Sequence, residues 1–164
     1  MPLFILPLAL LSLLTFQAST PGPSGEGALA GDTLIQLADG TAKAASDLVA
    51  GDLLQGWKNG KGPVPVVLKA VVRLNANAYQ AVRTAQGTLR ASGNLWVATA
   101  SGGLVKLSAL AGQGPAGDLV GLATKGTQSI PVLGKREYPS NLPLFNLELA
   151  APGLFVAGGV LVHD

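Results

Sequence analysis

Residues 33–43 have the sequence Thr33-Leu34-Ile35-Gln36-Leu37-Ala38-Asp39-Gly40-Thr41-Ala42-Lys43, in which an Asp-Gly dipeptide separates two short, largely apolar runs. Asp-Gly tolerates the positive φ angles of a tight hairpin turn, and short apolar runs on both sides of such a turn are typical of paired strands. The stretch therefore predicts a strand, a turn and a returning strand.

A second stretch of the same kind lies downstream. There Leu95-Trp96-Val97-Ala98-Thr99-Ala100 leads into the turn Ser101-Gly102-Gly103, and Leu104-Val105-Lys106 returns. Both stretches continue toward a Gly-Asp-Leu corner, at residues 51–53 and 117–119. A duplicated supersecondary unit indicates architecture more firmly than local propensity does, and two copies are too few for a solenoid. The sequence predicts a pseudo-twofold β domain.

Residues 64–72 and 79–83 are further β-branched or aromatic runs, and they also predict strands. Only residues 42–48 and 105–111 are candidates for short helical turns. Once an apolar leader is set aside, roughly 140 residues remain, which is a common size for one domain. We expect a single all-β domain.

Composition excludes several classes of function. The 11 basic and 9 acidic residues are interspersed and leave a net charge of +2, so no basic stripe is available and we expect no nucleic-acid partner. The chain has no Cys and one His, so disulfides, thiol nucleophiles and histidine metal clusters are excluded. We expect no cofactor and no metal, and the sequence does not identify a partner or ligand.

The N-terminal segment predicts export. Residues 3–16 form an uncharged apolar run that is shorter than the ~20 residues of a membrane-spanning helix. Ala18 and Thr20 stand at the two spacings that a signal peptidase recognises. We therefore predict a signal peptide over residues 1–20, a Pro/Gly linker over residues 21–27, and a secreted or extracytoplasmic domain. The alternative is an uncleaved leader, which would be the only contact with a membrane.

Three blocks of the sequence resemble those of the Hint (hedgehog/intein) domain family, and of bacterial inteins in particular. The first block comprises residues 28–35, 38–41 and 47–52, the second residues 88–95, and the third residues 145–149 and 155–164. Together they frame a domain over residues 28–164 in the family's order. The resemblance implies an all-β, pseudo-twofold, disc-like Hint fold with long curved hairpins. It also implies self-processing by protein splicing or autoproteolysis.

In the first two blocks, the resemblance identifies positions that the chemistry needs. The family opens its first block with a catalytic Cys, and here that position is Ala28. A thiol attacks the preceding carbonyl because it is partly ionised near neutral pH and intrinsically nucleophilic, and Ala cannot do this. The second block is expected to hold a Thr and, three residues on, a His, where this chain has Ser92 and Leu95. The Ser92 hydroxyl can still hydrogen-bond a backbone group. Leu95 cannot act as a general acid, and we predict an ordinary strand residue that faces the core.

The third block departs from the family in a similar way. Active relatives often place an acid where this chain has Asn146 and a His where it has Gly153. His163 retains the penultimate His that assists cyclisation of a final Asn in relatives, and Asp164 stands in place of that Asn. The ionised carboxylate of Asp164 is a poor attacking group for succinimide formation. We therefore predict that His163 has a structural role.

The catalytic positions therefore fall into two sets. Ser92, His163 and Asp164 are retained or nearly retained, and Ala28, Leu95, Asn146 and Gly153 are degenerate. This pattern favours a secreted, catalytically inactive Hint-type domain that serves as a small binding or structural module. Two alternatives stay open: residual autolysis at Gly27–Ala28 or elsewhere, and an exported β binding module unrelated to splicing.

Overall fold

The computed structural model describes residues 27–110, 117–139 and 141–164. The predicted signal peptide (residues 1–20) and residues 21–26 of the predicted linker lie outside the described residues. Within the described ranges, no helix is long and apolar enough to cross a membrane.

Strands make up nearly all the regular structure of the described residues, as the sequence predicted. Two short 3-10 helices, Ala45–Asp47 and Leu107–Ala109, lie within the two stretches where helical turns were predicted. The strands, in chain order, are β1 (Leu29–Ala30), β2 (Leu34–Gln36), β3 (Ala42–Ala44), β4 (Leu53–Lys58), β5 (Gly62–Asn75), β6 (Ala78–Thr84), β7 (Gly87–Ala91), β8 (Trp96–Ala98), β9 (Leu104–Lys106), β10 (Leu119–Leu122), β11 (Thr127–Ile130), β12 (Val132–Pro139), β13 (Pro143–Leu149), β14 (Leu154–Ala157) and β15 (Val160–His163).

The two predicted hairpins are present in matching register. In β2–β3, Leu34 lies opposite Ala44, and in β8–β9, Trp96 lies opposite Lys106. Each residue of the second hairpin therefore stands 62 positions after its counterpart, as Trp96 stands after Leu34. The pseudo-twofold arrangement predicted from the duplication is confirmed by this repeat.

The hairpin turns depend on glycine in the way the sequence indicated. Gly40 has a φ of +87° and Gly102 a φ of +98°, a region that side chains disfavour. Beside the first turn, the hydroxyl of Thr41 donates to the Asp39 carboxylate at 2.6 Å, and the N–H of Thr41 donates to it at 2.9 Å. These two hydrogen bonds lower the pKa of Asp39, and the bond from the hydroxyl has the larger effect.

A second pair of equivalent contacts joins each 3-10 helix to a glycine earlier in the chain. The Ser46 N–H donates to the carbonyl of Gly31 at 3.0 Å, and the Ser108 N–H donates to that of Gly93 at 2.9 Å. A Cβ added to either glycine would lie 3.1 Å from the Cβ of the paired serine. Close backbone approach therefore favours glycine at both positions.

The two halves of the chain exchange strands. β5 pairs with β13, and β6 pairs with β12, so that each pair takes one strand from each half. Both pairs carry a register shift, between Val132 and Gly134 in one and between Glu148 and Leu149 in the other. The main sheet has thirteen strands in the order β12-β6-β7-β1-β13-β5-β4-β14-β15-β8-β9, with β2 and β3 paired beside β14, and β10–β11 forms a separate two-stranded sheet.

The terminal hairpin β14–β15 connects the halves. Ala157 on β14 lies opposite Ile35 on β2, and Val162 on β15 lies opposite Val97 on β8. These residues belong to one buried apolar core, which also stabilises the domain through burial of its largest side chains. Those fully buried side chains include Leu29, Leu54, Leu68, Leu89, Leu95, Leu107, Leu119 and Phe155.

Candidate functional site

Ala28 and Ser92 meet where β1 enters the sheet. Ala28 is buried and lies directly before β1, which is held between β7 and β13. The Ser92 N–H donates to the Ala28 carbonyl at 2.8 Å, and the Ala28 N–H donates to Ser92 Oγ at 2.9 Å. The amide nitrogen of the Gly27–Ala28 bond is therefore fixed by a hydroxyl oxygen, and Ala28 itself offers only a methyl group.

Leu95 packs against Gly27 at the Gly27–Ala28 bond. A Cβ added to Gly27 would collide with the Leu95 backbone and would lie 2.7 Å from Leu95 Cδ1, so that only glycine fits there. Leu95 is 2% exposed, and its N–H donates to the Ser92 carbonyl at 3.2 Å. Leu95 was expected within a strand, but it lies directly before β8, because its N–H closes this turn instead of pairing across the sheet.

His163 lies at the end of β15, opposite Trp96 on one side and Leu154 on the other. Its Nδ1 lies 2.7 Å from the backbone oxygen of Asp164. Because Trp96 follows Leu95 directly, the last strand ends beside the Ala28–Ser92–Leu95 group.

The Asp164 carboxylate binds two backbone N–H groups from neighbouring segments. Oδ1 accepts from the Gly153 N–H at 2.9 Å, and Oδ2 accepts from the Leu149 N–H at 3.1 Å. The side chain is 11% exposed. A carboxylate has two acceptor oxygens, whereas an asparagine amide has one, so that this pair of contacts suits Asp and not Asn.

Asn146 and Gly153 occupy different surroundings. Asn146 is buried on β13 opposite Val72, one residue after Phe145, which pairs with Leu29 of β1. Gly153 lies directly before β14, where an added Cβ would meet no atom closer than 3.9 Å. The space around position 153 therefore does not require a glycine there.

The chemistry available at this site is limited. No group of three or more His, Cys, Asp or Glu side chains among the described residues could hold a metal ion. Among the described residues, the two carboxylates with a shifted pKa lie elsewhere, Asp39 at the first hairpin turn and Asp52 before β4. The Val49 N–H and then the Lys43 ammonium, which donate to Asp52 at 2.9 Å and 3.1 Å, lower the pKa of Asp52 against the opposing effect of burial.

Sequence reasoning missed two parts of this arrangement. Gly27 was assigned to the linker, although its fit against Leu95 makes it part of the site. The Leu149 N–H was not identified, because a backbone donor carries no residue signal. The roles expected for Ser92, His163 and Asp164 stay predictions, and the structure supplies their positions.

Comparison of this chain with known proteins identifies its fold. No protein-family profile matches the sequence, and no curated protein matches it. The structure is similar to the DnaB intein from Synechocystis sp. PCC 6803, with 21% identity, a TM-score of 0.74, and coverage of 84% of this chain and 98% of the intein. It is similar to a bacterial intein-like domain from Clostridium thermocellum, with 15% identity, a TM-score of 0.71, and coverage of 84% and 98%. The TvoVMA intein gives 18% identity, a TM-score of 0.71, and coverage of 85% and 98%.

Sequence identities this low support a conclusion about fold and none about activity. The three similar structures each extend over most of this chain and nearly all of their own. The strand order and duplicated hairpins agree with the pseudo-twofold β domain that the sequence blocks predicted. This chain therefore has the Hint-type fold of inteins and bacterial intein-like domains.

Proposed function

We propose that this chain is an exported Hint-type domain that has lost self-processing chemistry and serves as a small binding or structural module. One observation carries the proposal. At the Gly27–Ala28 bond, where the resemblance puts the first reaction, the nucleophile position is a methyl group and the general-acid position is the buried side chain of Leu95.

The loss of both groups is chemically severe. A positioned general acid or base contributes ~10²–10⁴-fold to a rate, and a leucine side chain cannot exchange a proton. Without a side-chain nucleophile at Ala28, the acyl shift has no attacking atom. The remaining hydrogen bond from Ala28 N–H to Ser92 Oγ positions the bond without activating it.

The third block supports the same proposal. Asp164 uses both carboxylate oxygens to hold the Gly153 and Leu149 N–H groups, which is a structural arrangement. His163 Nδ1 lies 2.7 Å from the backbone oxygen of Asp164, a contact between neighbouring residues at the end of β15. Both residues act in this proposal as parts of the scaffold.

One contact favours residual autolysis as a second candidate. The Ser92 hydroxyl lies 2.9 Å from the amide nitrogen of Gly27–Ala28, close enough to reach the bond. The hydroxyl would need a base to take its proton, because a serine is a weak nucleophile while protonated. Among the described residues, the hydrogen-bond partner of Ser92 Oγ is the Ala28 N–H, which is not a base.

Export is the other part of the proposal. Its support is the apolar run at residues 3–16 with small residues at 18 and 20, followed by the Pro/Gly linker. In the alternative, the leader remains as an anchor and the linker is a tether outside the membrane.

N-terminal sequencing of the protein from a secreting host tests both parts. The proposal predicts a soluble product in the medium that begins near Pro21. A product that begins at Ala28 would overturn the proposed inactivity, since it requires cleavage of Gly27–Ala28. Intact Met1 in the membrane fraction would overturn export and support the anchor.

A further inference from the structure

The two tryptophans and the single histidine of this chain lie in one row across the main sheet. Trp57 on β4 pairs with Leu154 on β14, and Leu154 pairs with His163 on β15. His163 pairs with Trp96 on β8, and Trp96 pairs with Lys106 on β9. Directly paired residues point to the same face of a sheet, so these five side chains form a continuous stripe, which we call the tryptophan row.

Three members of the tryptophan row, Trp57, Leu154 and His163, line a cleft of about 490 Å³. Leu154 also packs against the buried residues Leu161 and Ala98, which add to the apolar lining of the cleft. The walls are the β4–β5 and β8–β9 hairpins and the β10–β11 sheet. A concave apolar floor with polar edges is the usual form of a binding site.

The row remains accessible in part. Trp96 is 39% exposed, and its ring carries the Lys106 ammonium 5.5 Å from its centroid. The Trp57 ring N–H donates to Asn59 Oδ1 at 3.3 Å, which fixes the indole at the cleft wall. Exposed, held tryptophans are frequent anchors in protein interfaces because they offer a large contact area with little loss of side-chain freedom.

Two lysines give the row and its cleft positive charge. Lys58 lines the cleft, and Lys106 ends the row. No Asp or Glu is among the described residues that line the cleft. The Asp164 carboxylate, next to His163, is 11% exposed and accepts hydrogen bonds from the Gly153 and Leu149 N–H groups. A ligand with negative charge and apolar side chains therefore complements this surface.

The length of the row selects among such ligands. Five adjacent strands spaced ~4.8 Å apart span ~19 Å, which is about the length of six extended residues at ~3.3 Å each. A cleft that is recessed between hairpins suits a narrow chain better than the flat surface of a bilayer.

We propose that the tryptophan row and its cleft bind an acidic peptide segment of about six extended residues that also carries apolar side chains. The apolar side chains pack on Trp57, Leu154 and Trp96, and the carboxylates contact Lys58 and Lys106. This inference rests on the proposed function as a binding module, and it names the chemistry of the partner.

Intrinsic tryptophan fluorescence tests the proposal directly, because both tryptophans lie in the row. The secreted protein is titrated with the peptide acetyl-Glu-Leu-Asp-Glu-Leu-Asp-amide. A charge-reversed peptide, acetyl-Lys-Leu-Arg-Lys-Leu-Arg-amide, is titrated in parallel. We expect a saturable change with the acidic peptide only. No saturable change with the acidic peptide, or equal binding of the basic one, would overturn the proposal.

Two variants and two matched controls locate the site. Trp96→Ala and Lys106→Glu should each weaken binding of the acidic peptide by about tenfold, as expected for an interface anchor and a charge partner. Leu34→Ala alters the equivalent, 59% exposed position of the first hairpin, and Lys69→Glu makes the same charge change on β5. Both controls should bind as the unaltered protein does, and equal losses in variants and controls would contradict the site.

Two further measurements separate this proposal from other readings. Phosphatidylglycerol vesicles that change the fluorescence while the peptide does not would assign the row to a lipid surface and overturn the peptide site. An intact mass is recorded for each sample. Cleavage at Gly27–Ala28 together with peptide binding would contradict the proposed inactivity alone, and an intact chain without binding would contradict the peptide site alone.

Discussion

Replacement of Asp164 by Asn should destabilise this domain, although it restores the residue that the family resemblance expects at that position. The two carboxylate oxygens accept from two different backbone N–H groups, those of Gly153 at 2.9 Å and Leu149 at 3.1 Å. An amide can satisfy one of them with its oxygen and presents an N–H₂ group to the other. One largely buried donor then faces another donor.

The magnitude follows from these contacts. A hydrogen bond to a charged group contributes ~1.5–3 kcal/mol, and a buried donor left without an acceptor costs ~1–3 kcal/mol. Asp164 is 11% exposed, so water replaces the lost acceptor only in part. We expect Asp164→Asn to lower the free energy of unfolding by about 2 kcal/mol.

Urea unfolding followed by far-UV circular dichroism measures this change. With a slope of ~1–3 kcal/mol per molar urea, the unfolding midpoint should fall by roughly 1 M while the slope stays unchanged. The matched control is Asp47→Asn in the first 3-10 helix, an exposed position where a change within ~0.5 kcal/mol is expected. Equal midpoints for Asp164→Asn and the unaltered protein would refute the structural role assigned to this carboxylate.

Three further predictions concern the site, the sheet and the pH dependence. The double variant Ala28→Cys with Leu95→His places a thiol and an imidazole at Gly27–Ala28, and it should release the N-terminal segment when a thiol is added. Mass spectrometry should show release from either single variant to be at least tenfold slower. A folded double variant without release would show that the site geometry no longer supports the reaction. Gly56→Ala brings a Cβ within 2.8 Å of the Leu154 carbonyl and should lower the free energy of unfolding in urea by ~1–3 kcal/mol. The control Gly103→Ala, with no atom within 4 Å of the added Cβ, should leave it nearly unchanged. Similar losses of stability in the two variants would contradict the close approach of β4 and β14. Asp52→Asn should lower the free energy of unfolding at pH 7. Because the folded pKa of Asp52 lies below its unfolded value of ~3.9, that loss should shrink as the pH falls from about 4 through the folded pKa. A loss that stays constant down to pH 2 would contradict the ionic role of Asp52.

The sequence predicted the parts of the fold that local chemistry determines. Gly40 and Gly102 have the positive φ angles that the turn dipeptides indicated. The β-branched run at residues 64–72 lies within β5, and the run at 79–83 lies within β6. In each case a residue type has a backbone or packing preference that can be recognised without its neighbours in space.

The long-range pairing could not be predicted in the same way. The exchange of β5 with β13 and of β6 with β12 depends on which apolar faces meet, and several pairings satisfy the same alternation. β11 and β12 are among the strands that were not predicted, because residues 127–139 include Gly134 and several charged or hydroxyl side chains that weaken a strand pattern.

The candidate site was only partly predictable for a related reason. Ala28, Ser92 and Leu95 were identified because the blocks fix their spacing, and the structure brings them into contact. The tryptophan row was not identified, because Trp57 and Trp96 are far apart in sequence and share a face only through the β4–β14–β15–β8 order. Sequence spacing reports neighbours along the chain, and this surface is made across it.

The most direct test of the central claim is the intact mass of the purified secreted protein during prolonged incubation at neutral pH, with and without a strong thiol. Our account predicts a single mass, that of the chain beginning near Pro21, at every time point, because Ala28 supplies no nucleophile and Leu95 no proton. Growth of a species that begins at Ala28, with the matching loss of residues 21–27, would contradict the account.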